Sequence, residues 1–201
     1  MRCRHVPARL ACLALAALLA ACSSLAPPAD QLGDWSEQQR DLLNLQAWQL
    51  RGRVNIRYHG DSHTPRIQWQ QASTDYNIRL WGTFNAGNTR IEGRPGFVSL
   101  TQGNEVVTAD SPENLILDHL GYELPVSHLE YWIRGIPVPG AQADMQFNAL
   151  NQVALLQQDG WTVNYTDMRQ YQEYALPRRV EITRSLDDIR LVFVGLSWEL
   201  P

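Results

Sequence analysis

Ser62 is the side chain whose neighbours first suggest nucleophilic chemistry, since it stands in the run Gly60-Asp61-Ser62-His63. A hydroxyl, a carboxylate and an imidazole are the components of an esterase. That chemistry needs the serine on a sharp strand-to-helix turn, with a distant Asp and His completing the site. Here the run lies between two alternating segments and leads into Thr64-Pro65, which starts no helix, so a hairpin turn accounts for every residue. His59 and His63 are four apart, a spacing that gathers metal ligands on a helix but not across a turn. His119 and His128 fall on expected helix surfaces without a Cys or acidic cluster beside them. No Gly-rich phosphate loop follows a strand. The sequence therefore offers no catalytic residue, no metal site and no cofactor site, and the protein is expected not to be an enzyme.

Cys22 offers a different chemistry. Arg2, Arg4 and Arg9 precede a 12-residue run of Leu, Ala and one Cys over residues 10–21, and small residues lead directly into Cys22. Charge, a short apolar stretch and a small-residue cleavage site make an export signal. As a membrane span, 12 residues rising 1.5 Å each would cover only about 18 Å of a ~30 Å hydrocarbon core. A signal ending on cysteine resembles the bacterial lipobox. The resemblance implies a diacylglyceryl group on the Cys22 sulfur, cleavage before it and acylation of the new amine. Residues 1–21 are then the signal peptide. Residues 22–33, rich in Ser, Pro and Ala without a period, form a flexible tether. Residues 34–201 make one domain facing the periplasm.

Loss of the signal removes three of 17 basic residues and no acid, leaving 14 Arg against 21 Asp plus Glu, a formal charge of −7. An acidic chain with no basic run is a poor partner for nucleic acid, whose affinity rests on neutralised phosphates. By the same reasoning it has no electrostatic grip on anionic lipid, and the acyl anchor must hold the membrane. Cys3 and Cys12 leave with the signal, so no thiol remains for a disulfide or a metal.

The elements that must position any site are mostly strands. Residues 34–45 suggest a short amphipathic helix with Ser36 as its cap and Gln39 three residues on. Residues 48–58 then alternate strictly, with Trp48, Leu50, Gly52, Val54, Ile56 and Tyr58 on one side and Gln49, Arg51, Arg53, Asn55 and Arg57 on the other. Period two over that length means a long strand with one dry face. Shorter alternations follow, separated by turns at His59-Gly60-Asp61, Ser73-Thr74-Asp75, Arg94-Pro95-Gly96 and Gly103-Asn104. Ser111-Pro112-Glu113 opens a helix that Gly121 ends. Ser127 and Glu130 form a capping-box pattern for another, stopped at Gly135. Strands resume near Phe147 and continue to Trp198. The expected fold is mainly β, an unclosed antiparallel β-barrel of about 10–11 strands, because so many half-dry strands must curl around something. The helices are too short for an outer layer and belong across an apolar cavity as a lid. Trp69, Ile78, Leu80, Leu115, Trp132 and Ile133 are candidate cavity lining, with ordinary core packing as the other reading for each.

One turn is unusual. Trp81-Gly82-Thr83-Phe84-Asn85-Ala86-Gly87-Asn88 has turn chemistry but carries Trp81 and Phe84. Either both rings fold back over the barrel rim, or they form an apolar tip that touches a membrane or partner. Burial of one Phe yields about 1.5–3 kcal/mol, enough for a reversible touch by a tethered protein.

The lipobox, the helix over 34–45, the strand over 48–58, the final strands and above all Leu129-Glu130-Tyr131-Trp132-Ile133-Arg134-Gly135-Ile136-Pro137 together resemble the outer-membrane lipoprotein LolB family across the mature chain. The resemblance implies an unclosed barrel with an apolar cavity. It implies a protein that accepts lipoproteins from the periplasmic carrier LolA and inserts them into the inner leaflet of the outer membrane. It implies an exposed apolar loop residue as well, and Phe84 falls where the family more often shows Leu. Ser23 after Cys22 fits export to the outer membrane, because Asp at that place generally favours inner-membrane retention in proteobacteria. The expected partners are LolA, the acyl chains of client lipoproteins and outer-membrane lipid, with the protein itself a monomer. A structural outer-membrane assembly lipoprotein without a lipid-carrying cavity is the alternative. An open cavity would mark a carrier and a filled interior a scaffold.

Overall fold

The alternation that begins at Trp48 forms β1 (Ala47–Tyr58), the strand on which the rest is built. Trp48, Leu50 and Val54 are buried on one face, while Arg51, Arg53 and Arg57 are exposed on the other. This computed structural model describes residues 34–82, 88–121 and 123–201, without the side chains of Leu120 and Asp187. The signal peptide, Cys22, the tether and Phe84 lie outside the described residues.

On one side of β1 the sheet continues through β3 (Arg66–Ala72), β4 (Asp75–Trp81), β5 (Thr89–Arg94), β6 (Phe97–Gln102) and β7 (Glu105–Ala109). On the other it runs through β12 (Ile189–Glu199), β11 (Tyr174–Arg184), β10 (Trp161–Tyr171), β9 (Val153–Gln158) and β8 (Ala143–Phe147). Every neighbouring pair is antiparallel. The twelfth strand, β2 (Asp61–His63), pairs with the end of β1. It falls where a plain turn was expected. His59 and Gly60 both take positive φ (47° and 88°), which matches the twist of a two-residue hairpin, so pairing resumes at once. The sheet stays unclosed: β7 and β8 are its two ends, and the chain between them carries α2 (Pro112–Leu120) and α3 (Val126–Trp132).

Two helix starts differ from the sequence reading. In α1 (Trp35–Asn44) the cap is Asp34, whose carboxylate accepts from the Ser36 amide at 2.8 Å, and not Ser36. The capping box of α3 does not form. The Ser127 amide donates to Glu113 of α2 at 2.8 Å, and Glu130 turns to Arg134 instead. One acid at the start of α2 thus caps the next helix and fixes the pair. The start of α2 is as expected, with the Ser111 hydroxyl accepting from the Asn114 amide and Gly121 left-handed at its end.

One end of the barrel is solid. Trp48 packs against Trp69 and Trp198 at 5.3 and 5.4 Å between ring centres, and Trp132 lies 6.0 Å from Trp161. Two buried polar side chains pin this end. Gln158 accepts from Trp132 Nε1 and the Val138 amide at 2.9 Å each, and donates to the Val138 carbonyl at 3.0 Å. Arg134 is 2% exposed and donates to the carbonyls of Leu42 (2.6 Å), Leu45 (2.9 Å) and Glu130 (2.9 Å). Two of those carbonyls lie at the end of α1, where a helix runs out of its own donors. Burial pushes the Arg134 pKa down and that of Glu130 up, and their attraction opposes both shifts.

Tyr76 lies across Gly93, its partner in the β4–β5 ladder, where a side-chain methyl would collide with the ring. Burial first, then the nearby Glu113 and Glu130 carboxylates, push its phenol up to about 12. The fully buried Tyr165 is raised as well, by burial alone. A phenol raised in the folded state contributes stability below its unfolded pKa of about 10 and loses it as pH climbs toward the folded value. Folding stability should therefore fall from pH 10 upward in alkaline denaturation, and Tyr76→Phe and Tyr165→Phe should each flatten the decline. An unchanged slope in both variants would refute the assignment.

Candidate functional site: an apolar cavity in the unclosed barrel

The other half of the barrel is hollow. The inward side chains Ile56 of β1, Ile67 and Trp69 of β3, Ile78 and Leu80 of β4, Ile91 of β5 and Leu100 of β6 form one wall of a cavity of about 540 Å³. Ile116 of α2, Val126 and Leu129 of α3, and Leu191 and Phe193 of β12 form the other. Such a volume lies in the usual range for ligand pockets, roughly 300–1,000 Å³. The walls arise because period-two strands put alternate apolar residues on the concave face. The helices meet that face without filling it.

Polar groups gather at one end: Tyr58, Asp61, His63, Thr89, Gln102 and His119. They come from the end of β1, from β2, from the start of β5, and from the ends of β6 and α2, so they mark the mouth. The chain from β4 to β5 turns at this same end, between Trp81 and Thr89. The opposite end is shut by the tryptophan cluster and Arg134.

Trp69, Ile78 and Leu80 stand on the cavity wall. Leu115, Trp132 and Ile133 do not. Leu115 is buried beside Ile116, which faces the void in its place, and Trp132 and Ile133 are fully buried in the solid end. Helical periodicity marks the inward stripe but not which part of it meets packed side chains. Trp81, read from sequence as part of the turn, is instead the last residue of β4, paired with Arg66 and half-buried on the outer face, opposite to Leu80. Ile67, Ile91, Leu100, Leu191 and Phe193 were not singled out as lining, although their alternation placed them inward.

The Ser62 hydroxyl accepts from Asn55 Nδ2 at 2.9 Å within the β1–β2 hairpin, and no helix follows. It has the surroundings of a strand serine and not those of a nucleophile.

The sequence matches the family described as outer membrane lipoprotein LolB over residues 46–195. It is 39% identical over 191 residues to the outer-membrane lipoprotein LolB of Chromohalobacter salexigens, covering 94% of this chain and 88% of that one. It is 39% identical to that of Pseudomonas aeruginosa, covering 88% and 89%. In fold it is similar to a LolA superfamily protein from Nitrosomonas europaea, with a TM-score of 0.52 over 82% of this chain and 94% of the other at 7% identity. An open, apolar-walled half-barrel in a chain with these relatives leads to one assignment: the protein belongs to the LolB family of outer-membrane lipoproteins.

Proposed function

We infer that this protein, lipid-anchored to the outer membrane on its periplasmic side, accepts lipoproteins from the carrier LolA and inserts them into the membrane's inner leaflet. The observation that carries the reading is the cavity, walled mainly by apolar side chains with its polar groups gathered at one end. Acyl chains enter it, displace poorly held water and leave again for the bilayer without covalent chemistry. Direction needs only an affinity gradient, with each ~1.4 kcal/mol between carriers giving tenfold bias. The filled interior of a scaffold does not fit a void of about 540 Å³. In this reading residues 1–21 are removed, Cys22 carries the acyl groups, residues 22–33 are the tether, and residues 34–201 act as one monomeric domain. Trp69, Ile78 and Leu80 touch the acyl chains.

Phe84 lies outside the described residues. In sequence it stands between Trp81 and Thr89, the ends of β4 and β5 beside the mouth, and in this reading it is the tip that enters the leaflet during delivery. The test is transfer of a radiolabelled lipoprotein from LolA to the purified protein, and from it to liposomes. Phe84→Glu should accept normally but deliver poorly, because a carboxylate resists desolvation by several kcal/mol in order of magnitude. Phe84→Leu should match the wild type. Absence of any transfer from LolA to the wild-type protein would refute the reading. A large fall in melting temperature for Phe84→Glu would make Phe84 a core residue.

A further inference from the structure

The composition argument against electrostatic docking averages over the whole chain, whereas strand register gathers charge that no linear run displays. On the outer face, opposite the cavity wall, Arg53 of β1 stands directly across from Arg66 of β3, and Arg79 of β4 directly across from Arg90 of β5. All four are exposed. Like charges opposite one another in a sheet are destabilising, so two such pairs on one face have a cost that folding does not explain. Among the described residues no ion pair reaches any of the four. Glu199 of this face is paired with Arg51 at 2.8 Å, and Glu92 is hydrogen-bonded by Asn77.

The ladder places Trp81 across from Arg66, beside the second pair. Trp81, Arg79 and Arg90 share one shallow groove of about 610 Å³ with Gln68, Asn88 and Thr101. Several guanidiniums around a half-buried indole combine charge for phosphate with a ring suited to the interface between headgroups and acyl chains. We propose that this arginine face of β1, β3, β4 and β5 docks on anionic phospholipid headgroups, laying the barrel against the bilayer with Trp81 at the interface. A bilayer is the favoured occupant because the protein is an outer-membrane lipoprotein, so membrane is always within reach, and because an indole amid the charges suits an interface. Each arginine near an anionic surface contributes about fivefold to such an equilibrium. The inference rests on the membrane-anchored reading but not on lipid entering the cavity.

The mature acylated protein offers no thiol once Cys22 is modified, so Thr101→Cys takes a single spin label within the groove and Gln157→Cys on β9 serves as control. The labelled protein is reconstituted in phosphatidylethanolamine vesicles with or without phosphatidylglycerol, and collision with an aqueous nickel chelate is measured. With phosphatidylglycerol the label at 101 should lose about threefold or more of its nickel exposure, and should regain it as salt rises from about 0.15 M to about 1 M. The control should not respond. Arg79→Gln with Arg90→Gln, or independently Arg53→Gln with Arg66→Gln, should abolish the protection while the melting temperature holds or rises, since repulsion is relieved. Protection that ignores lipid charge, or survives both double variants, would overturn the proposal. Exposure in every vesicle followed by protection on adding LolA would overturn it too and make this a protein-docking face. Acceptance of lipoprotein from LolA, measured on the same variants, reports on the cavity separately.

Discussion

Replacing Arg134 with alanine should destabilise the fold by about 3–5 kcal/mol, the range for breaking a buried ion pair from one side. The change leaves the Leu42 and Leu45 carbonyls without their donor and Glu130 without its cation. It also removes the guanidinium stacked near the Trp48 and Tyr131 rings. In a chain of this size the melting temperature should fall by roughly 10 °C. Arg134→Lys should recover only part, because an ammonium on a flexible stem does not reproduce the fixed fork. The deficit has a sign with pH. Burial already raises the Glu130 pKa, and loss of its partner raises it further. A carboxyl raised in the folded state costs stability when ionised and not when protonated, so the gap between variant and wild type should narrow as pH falls toward 5. Urea denaturation at two pH values checks both statements. A deficit below about 1 kcal/mol would mean that the pin at the closed end is dispensable.

Ile91→Asp should do the reverse, with a large effect on ligand and a smaller one on folding. Ile91 is half-buried on the cavity wall, flanked in the ladder by Ile78 and Leu100. In the empty cavity water can hydrate the carboxylate, so folding loses mainly the isoleucine's packing. An entering acyl chain must strip that water, which costs about 3 kcal/mol or more, a weakening on the order of hundredfold. Competition of a triacylated peptide against a fluorescent hydrophobic probe measures this directly. If Ile91→Asp instead fails to fold, the space beside Ile91 is packed interior and the cavity assignment is lost.

The contrast between these two positions shows what a linear sequence can carry. Period two in residues 48–58 disclosed β1 and its dry face, and the Ser111-Pro112 start and Gly121 stop of α2 were legible, because these are local properties of the chain. Partner identity is not local. Ser127 looked like the cap of α3 until Glu113, 14 residues earlier, took its amide. Arg134 stood out in the sequence only as part of the stretch over residues 129–137 that carries the family resemblance, and nothing along the chain tells that its donors reach carbonyls 89 and 92 residues away. Trp132 and Ile133 were rightly placed inward but are packed core, since periodicity gives a direction and not what fills it. The arginine pairs were hidden for the same reason: Arg53 and Arg66, or Arg79 and Arg90, become neighbours only through register.

The sheet order has a kinetic meaning. β12, the last of the described strands in chain order, lies between β1 and β11, and it is the seam where the two halves meet. Trp198, three residues from the end of the chain, packs on Trp48 near the start of the domain. The two halves cannot join until β12 pairs with β1, and pairings this far apart in sequence close slowly. A chain that must cross a membrane as an unfolded thread gains from such wiring. Until β12 pairs with β1 the two halves remain separate ladders, and the barrel takes its fixed curvature only when that seam closes.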